Sequence, residues 1–339
     1  MLDRIGPGYF RYFLCIVVVL FHSTNYIALG EWAVHVFFIL SGYWVVKMYK
    51  EKYILFKYPV SSFLSSRLLR LLPVFYINVI LMIAVICFVK QQSLHEYIRV
   101  LNPDVPFVLS HIFILGLCTT GMIIPPSWSL DIEMQFYIIV PALLFVLAKL
   151  QNRKIVFLSV FFILFSILYF LHQNLHFPPS IANYLCFFLV GVLLYQTDYH
   201  ASKKVAALSI CIAVFLVALT YIIPHLFENV VQSNKLKVGG ILFRIIFDYL
   251  LALIIIPFIS RNIRNRGGRW DRDLANLSYI TYLFHRVTMY PWGYYYGNVS
   301  FAERLPSFVV YLIATFIGSL IIYYLVDIPF EKLRKKWVA

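Results

Sequence analysis

The chain has 339 residues, 62% of them hydrophobic, 18% aromatic and 13% charged, against roughly 25% charged in soluble domains; a soluble fold is excluded and a polytopic membrane protein indicated. The formal net charge of +14 is distributed over many loops, so membrane topology and anionic lipid, rather than nucleic acid, explain most of it. The five cysteines, Cys15, Cys87, Cys118, Cys186 and Cys211, lie in apolar segments without paired spacing, so neither a disulfide framework nor a zinc site is indicated.

Crossing ~30 Å of hydrocarbon takes about 20 apolar residues. Runs of that kind fall near 9–29, 31–48, 68–90, 131–149, 155–172, 180–197, 205–224, 241–260, 274–292 and 305–326. They predict an all-α, polytopic membrane helix bundle of about ten transmembrane helices. A further apolar stretch, Phe107 to Met122, contains His111, Gly116 and Gly121 and runs into Pro125-Pro126, and reads as re-entrant or interfacial. The run after Arg4 contains Arg11 and His22 and no small-residue cleavage site follows, so it reads as a first helix that stays rather than a signal peptide.

Cytoplasmic loops retain lysine and arginine. With the N-terminus inside, 22 of the 29 basic residues fall on the inner side, among them Lys47 to Lys57, Arg67, Arg70, the five arginines of 261–272 and Lys332 to Lys336. The outer side keeps Lys90, Arg99, Lys235, Lys237 and Arg304, and Arg244 and Arg286 lie within helices. An eleventh crossing at 107–122 would place the five arginines outside, so ten helices with both termini cytoplasmic are expected. No repeat, linker or low-complexity tract divides the chain, which reads as one integral membrane domain over 1–339.

An ionisable residue in the bilayer costs roughly 2.5 to 3.5 kcal/mol even on insertion scales. Arg11 and His22 are eleven residues apart, about 16 Å along a helix and three turns round it, so one inward stripe can carry both. Arg11 alone fits a snorkelling anchor; His22, near or beyond the midplane, does not. His35, on the outer half of the second helix, either faces the same cavity or bonds a carbonyl. Ser41 and Gly42 read as a site of close backbone approach.

Arg67 and Arg70, one turn apart, share a face and suit bidentate grip on a phosphate, or anchor the inner membrane face. In Trp128-Ser129-Leu130-Asp131-Ile132-Glu133-Met134-Gln135-Phe136-Tyr137, Asp131 suits a cap at the helix start, whereas Glu133, deeper in the apolar run, demands a partner. A carboxylate with an imidazole suits general acid and base work, or a proton relay. Arg244 and Asp248 are spaced to pair. His285 and Arg286 diverge by about 100°, so at most one aims straight at a shared site.

These segments, in this order, resemble the acyltransferase 3 family of integral membrane acyltransferases. The matching residues are Arg11 with His22; Phe37, Phe38, Ser41 and Gly42; Arg67, Arg70 and Pro73; Trp128, Ser129, Leu130, Glu133, Gln135, Phe136 and Tyr137; Ser278, Tyr279, Tyr282, Leu283 and His285; and Pro329, Phe330 and Glu331. The departures are local: Gly8-Tyr9-Phe10 stands where the family commonly has Asp-Gly-Leu, and His35 where it often has an acidic residue.

The resemblance implies transfer of an acyl group, usually acetyl, from cytoplasmic acyl-CoA to a hydroxyl of a surface glycan or lipid-linked sugar, such as O-antigen or capsule, in the bacterial inner (cytoplasmic) membrane. Acetyl-CoA is a co-substrate, and no cofactor or metal is expected. His22, Arg11 and Glu133 are the catalytic candidates: His22 as general base or transient acyl acceptor, Arg11 on the thioester, and Glu133 orienting an imidazole or the acceptor. Arg67, Arg70, Trp128, Ser129, Gln135, Tyr137, Tyr282 and His285 are the substrate-binding candidates, the two arginines for CoA phosphates. The alternatives are a proton-coupled transporter of a small organic acid or lipid-linked sugar, with His22 and Glu133 as relay, and a non-catalytic envelope scaffold, which leaves those two residues without a purpose.

Overall fold

The computed structural model describes residues 5–24, 28–175, 178–222, 238–265, 267–297 and 301–338. Arg4, Lys235, Lys237, Arg266 and the ends of the apolar runs at 25–27 and 223–224 lie outside the described residues. Helices follow in the order α1 (Pro7–Ser23), α2 (Gly30–Glu51), α3 (Pro59–Lys90), α4 (Leu94–Leu101), α5 (Val105–Phe113), α6 (Leu117–Thr120), α7 (Trp128–Lys149), α8 (Lys154–Leu175), α9 (Ile181–Thr197), α10 (Lys203–Ile222), α11 (Val238–Ile254), α12 (Ile256–Asn262), α13 (Asp271–Tyr296), α14 (Phe301–Ile322) and α15 (Ile328–Val338). A π-helical segment, Tyr323–Asp327, joins the last two. No strand occurs among the described residues.

Six described stretches are long and apolar enough to cross a membrane: Gly30–Leu55, Pro59–Lys90, Pro125–Lys149, Gln151–His172, Lys203–Ile222 and Glu303–Trp337. The pair Phe243–Ile254 and Ile256–Asn262, bent by 42°, makes a seventh if it is one span. Nine of the ten runs expected to cross each fall largely on one helix and the run 241–260 is split between α11 and α12, but α1 and α9 have only 17 residues, and α13 opens with Asp271, Arg272 and Asp273. Apolarity is therefore unevenly shared.

The chain divides into two compact units, residues 1–51 with 140–275, and residues 52–139 with 276–339. In the first, α2 and α9 meet at glycines. A Cβ on Gly42 would overlap the Phe188 carbonyl oxygen, and one on Gly191 the Ile39 carbonyl oxygen. Close approach at Gly42 is thus the packing that small residues permit between membrane helices. His35 is 2% exposed, stacked on Phe187 with ring centroids 4.1 Å apart, and its Nε2 lies 3.3 Å from the Tyr169 hydroxyl. The expected carbonyl partner is replaced by a phenol, because α8 and α9 wrap this position with aromatic residues. Arg244 lies 3.9 Å from Asp248, as its spacing predicts, and 3.5 Å from Glu31. Two carboxylates share one guanidinium.

In the second unit, the stretch 107–122 folds into α5 and α6, of nine and four residues. At 1.5 Å per residue neither spans more than about 14 Å. The N-terminus of α5 is capped by Asp104, whose Oδ1 accepts from Phe107 N at 2.8 Å. Gly116 (φ +85°) and Gly121 (φ +103°) flank α6, in backbone conformations that glycine alone adopts without strain.

Candidate functional site

The sequence candidates fall in both units, Arg11 and His22 on α1 in the first and the others in the second. Pro7 opens α1, where its fixed φ suits the first turn. The turn is held from a distance. Asp271 Oδ1 accepts from the Gly8 and Tyr9 amides at 3.0 and 3.2 Å, while Asn262 and Asn265 each donate to the Ile5 carbonyl at 2.9 Å. A carboxylate thus faces the free N–H groups and positive dipole end of α1, three residues before Arg11. Gly8 admits this approach, since a Cβ there would overlap the Asp271 carbonyl oxygen. Arg11 and His22 are both half-buried. The phenyl ring of Phe21 lies 5.1 Å from the His22 imidazole, centroid to centroid, and α1 stops at Ser23, where the Ser23 and Thr24 hydroxyls bond back to the carbonyls of Val19 and Leu20.

In the second unit the structure brings Arg67, Tyr137 and Glu133 together. The Arg67 guanidinium carbon lies 5.7 Å from the centres of both the Phe63 and Tyr137 rings, a position favoured by the negative π faces. Among the described residues Arg67 Nε has no hydrogen-bond partner. Tyr137 donates its hydroxyl proton to Glu133 Oε1 at 2.6 Å, a charge-assisted bond one helical turn long. Arg70, although on the same face of α3, turns to another neighbour and donates to Asn276 Oδ1 at 3.2 Å. The shared grip expected of the two arginines is therefore divided between α7 and α13.

Around these groups lie bonds that fix α3. Tyr279 donates to the Leu71 carbonyl at 2.9 Å. Arg334 makes a bidentate bond to Glu331 at 2.7 and 2.8 Å and donates to the Ser66 hydroxyl, which lies 2.7 Å from the Tyr53 hydroxyl. Glu331, the C-terminal motif residue, thus orients the arginine that steadies α3 one residue before Arg67.

Of the residues around the start of α7, Asp131, Gln135, Ser129 and Tyr282 are held in hydrogen bonds. Asp131 does not cap its own helix. Fully buried, it accepts from the Gly116 and Cys118 amides at 2.9 and 2.8 Å and from Gln135 at 2.9 Å. It binds the start of α6, because the chain folds back between α5 and α7 and leaves those amides facing it. Gln135 consequently steadies Asp131. The Ser129 hydroxyl lies 2.9 Å from the Tyr282 hydroxyl, and both are within 3.2 Å of the Pro126 carbonyl. Trp128 begins α7, its carbonyl accepting from Cys118 Sγ at 3.7 Å. His285 is fully buried, with the Tyr282 ring 6.3 Å away.

Sequence reasoning did not single out Asp271 or Arg334 as positioning residues. Their partners are 263 and 268 residues away, and no local pattern marks such a pair.

A family model described as "Acyltransferase domain" matches residues 4–324. The chain belongs to the acyltransferase 3 family. Five of the six motif segments lie inside the match, and Pro329-Phe330-Glu331 lies beyond it. Searches of curated proteins and of solved structures return no match. Its apolar helices and this family membership make the chain a multi-pass membrane protein of the acyltransferase class.

Proposed function

We propose that this acyltransferase 3 member is a membrane O-acyltransferase, in the first instance an O-acetyltransferase, acting between cytoplasmic acyl-CoA and a hydroxyl of a surface glycan or lipid-linked sugar such as O-antigen. The observation that carries the reading is the Arg67–Tyr137–Glu133 group. A guanidinium held between two rings, with its Nε unbonded among the described residues, suits a phosphate of CoA, and Arg70 adds a second positive charge on the same face of α3. Ten crossings with both termini cytoplasmic, in a bacterial inner membrane, would put the N-terminal half of α3, which carries both arginines about two to three turns from its start, on the inner side, in keeping with the distribution of lysine and arginine.

In this mechanism His22 takes the proton of the acceptor hydroxyl, whose oxygen attacks the thioester carbonyl. A C–O bond forms and the C–S bond breaks. The proton passes from the imidazole to the departing CoA sulfur, so atoms and charge balance without a cofactor or metal. Arg11 offsets the negative charge that develops on the thioester oxygen. Glu133, held by Tyr137, orients the acceptor or an imidazole, and Trp128, Ser129, Gln135, Tyr282 and His285 shape the acceptor side. An acyl-histidine intermediate is the two-step form of the same chemistry.

The test uses protein reconstituted in liposomes with labelled acetyl-CoA inside and glycan acceptors outside. Label on the outer glycan with wild type, and none with His22→Ala, is the expected result. Release of no CoA with any acceptor, together with His22-dependent passage of a solute, would replace this reading by a transporter.

A further inference from the structure

We infer that Arg286 and the cavity beside it form a binding site for a phosphate group at the membrane surface, separate from the Arg67 group. The cavity, of about 280 Å³, is lined by Met82, Arg286, Met289, Tyr290, Gly293 and Tyr294. Arg286 is half-buried, yet its one hydrogen-bond partner among the described residues is Met289 Sδ at 3.4 Å. A thioether is a weak acceptor. No carboxylate pairs with this guanidinium among the described residues, whereas Arg244, Arg264 and Arg334 each have one. A guanidinium inside an apolar helix is retained only with an anion or water-filled space before it, and here the space is present and no carboxylate among the described residues supplies the anion.

Position decides which anion. Arg286 lies ten residues beyond Asn276, the partner of Arg70, so the two arginine sites are separated by about 15 Å along α13. Beyond Arg286 the same helix becomes aromatic, with Tyr290, Trp292 and the exposed Tyr294, Tyr295 and Tyr296. Such a cluster marks the headgroup level of a bilayer, where phosphates lie within reach of a long side chain one or two turns below. Arginine matches phosphate with parallel N–H donors. At Gly293 a Cβ would meet nothing within 4 Å, so the lining leaves room for the sugar or glycerol that follows the phosphate. The ligand is accordingly a lipid phosphate, from a bulk anionic phospholipid or from a lipid-linked glycan; in the second case the site would hold the acceptor of the proposed reaction.

The experiment measures binding rather than acyl transfer, so it stands or falls apart from the acyltransferase reading. Full-length protein in phosphatidylcholine nanodiscs is titrated with farnesyl phosphate, with farnesol as the neutral control and tyrosine and tryptophan fluorescence as readout. Saturable binding of the phosphate alone is expected, weakened at least about tenfold in Arg286→Gln and partly kept in Arg286→Lys. Loss of that binding in nanodiscs containing phosphatidylglycerol would support the site with bulk lipid as its ligand; persistence would support a lipid-linked one. Equal affinity of wild type and Arg286→Gln, equal binding of farnesol, or no saturable binding would overturn the proposal.

Discussion

The junction between Gly8 and Asp271 gives a quantitative test of how α1 is held. Asp271→Ala removes the acceptor for two amides at a helix start, a loss of about 1–2 kcal/mol. Asp271→Asn keeps an oxygen there but not the charge, and should cost about 0.3–1 kcal/mol. Gly8→Ala presses a methyl group against the Asp271 carbonyl oxygen, and relief requires a backbone shift of about 1–3 kcal/mol. Because that shift also breaks the bonds from Gly8 and Tyr9 to the carboxylate, the two perturbations overlap. The double variant should therefore be less destabilised than the sum of the singles by about 1 kcal/mol, whereas independent sites add within about 0.3–0.5 kcal/mol. Thermal unfolding of the detergent-solubilised protein, followed by tryptophan fluorescence, measures all four variants. Additive losses, or an unchanged Asp271→Ala protein, would refute the argument that this carboxylate fixes the turn leading to Arg11.

Tyr137→Phe removes the hydroxyl that bonds Glu133, an interaction with a charged group of about 1.5–3 kcal/mol; acyl transfer should fall about tenfold or more, and a wild-type rate would detach Tyr137 from the reaction. Gly42→Ala should lower stability by about 1–3 kcal/mol through overlap with the Phe188 carbonyl, seen as a lower Tm, and an unchanged Tm would show that α2 and α9 separate freely. Asp131→Ala leaves the Gly116 and Cys118 amides without their acceptor, and limited proteolysis should cut between α5 and α7 faster than in wild type. Glu96, which accepts from Ser93 at the start of α4, has its pKa held below the ordinary 4.5 by hydrogen bonds from the Ser93 backbone and side chain. Its contribution to α4 is complete above pH 4.5 and is lost as pH falls through the depressed value. Amide exchange over 94–101 should therefore stay slow to below pH 4.5, and a loss of protection above it would contradict the capping box.

Much of this protein is legible in order of sequence, because a helix is a local object. Apolar runs act within the length of one helix, so the helical class and the positions of α2, α3, α7 and α8 follow from the residues themselves. The family follows too, since its motifs keep fixed spacing along single helices. Pairing across the fold is different. That Arg67 rests on Tyr137 while Arg70 turns to Asn276, that Asp131 serves α6 rather than α7, and that Asp271 holds the start of α1 depend on which distant residues packing brings into contact. One-dimensional spacing specifies the face on which a side chain emerges. Only the tertiary structure decides what stands opposite it, because a hydrogen bond is made in space and carries no record of sequence distance.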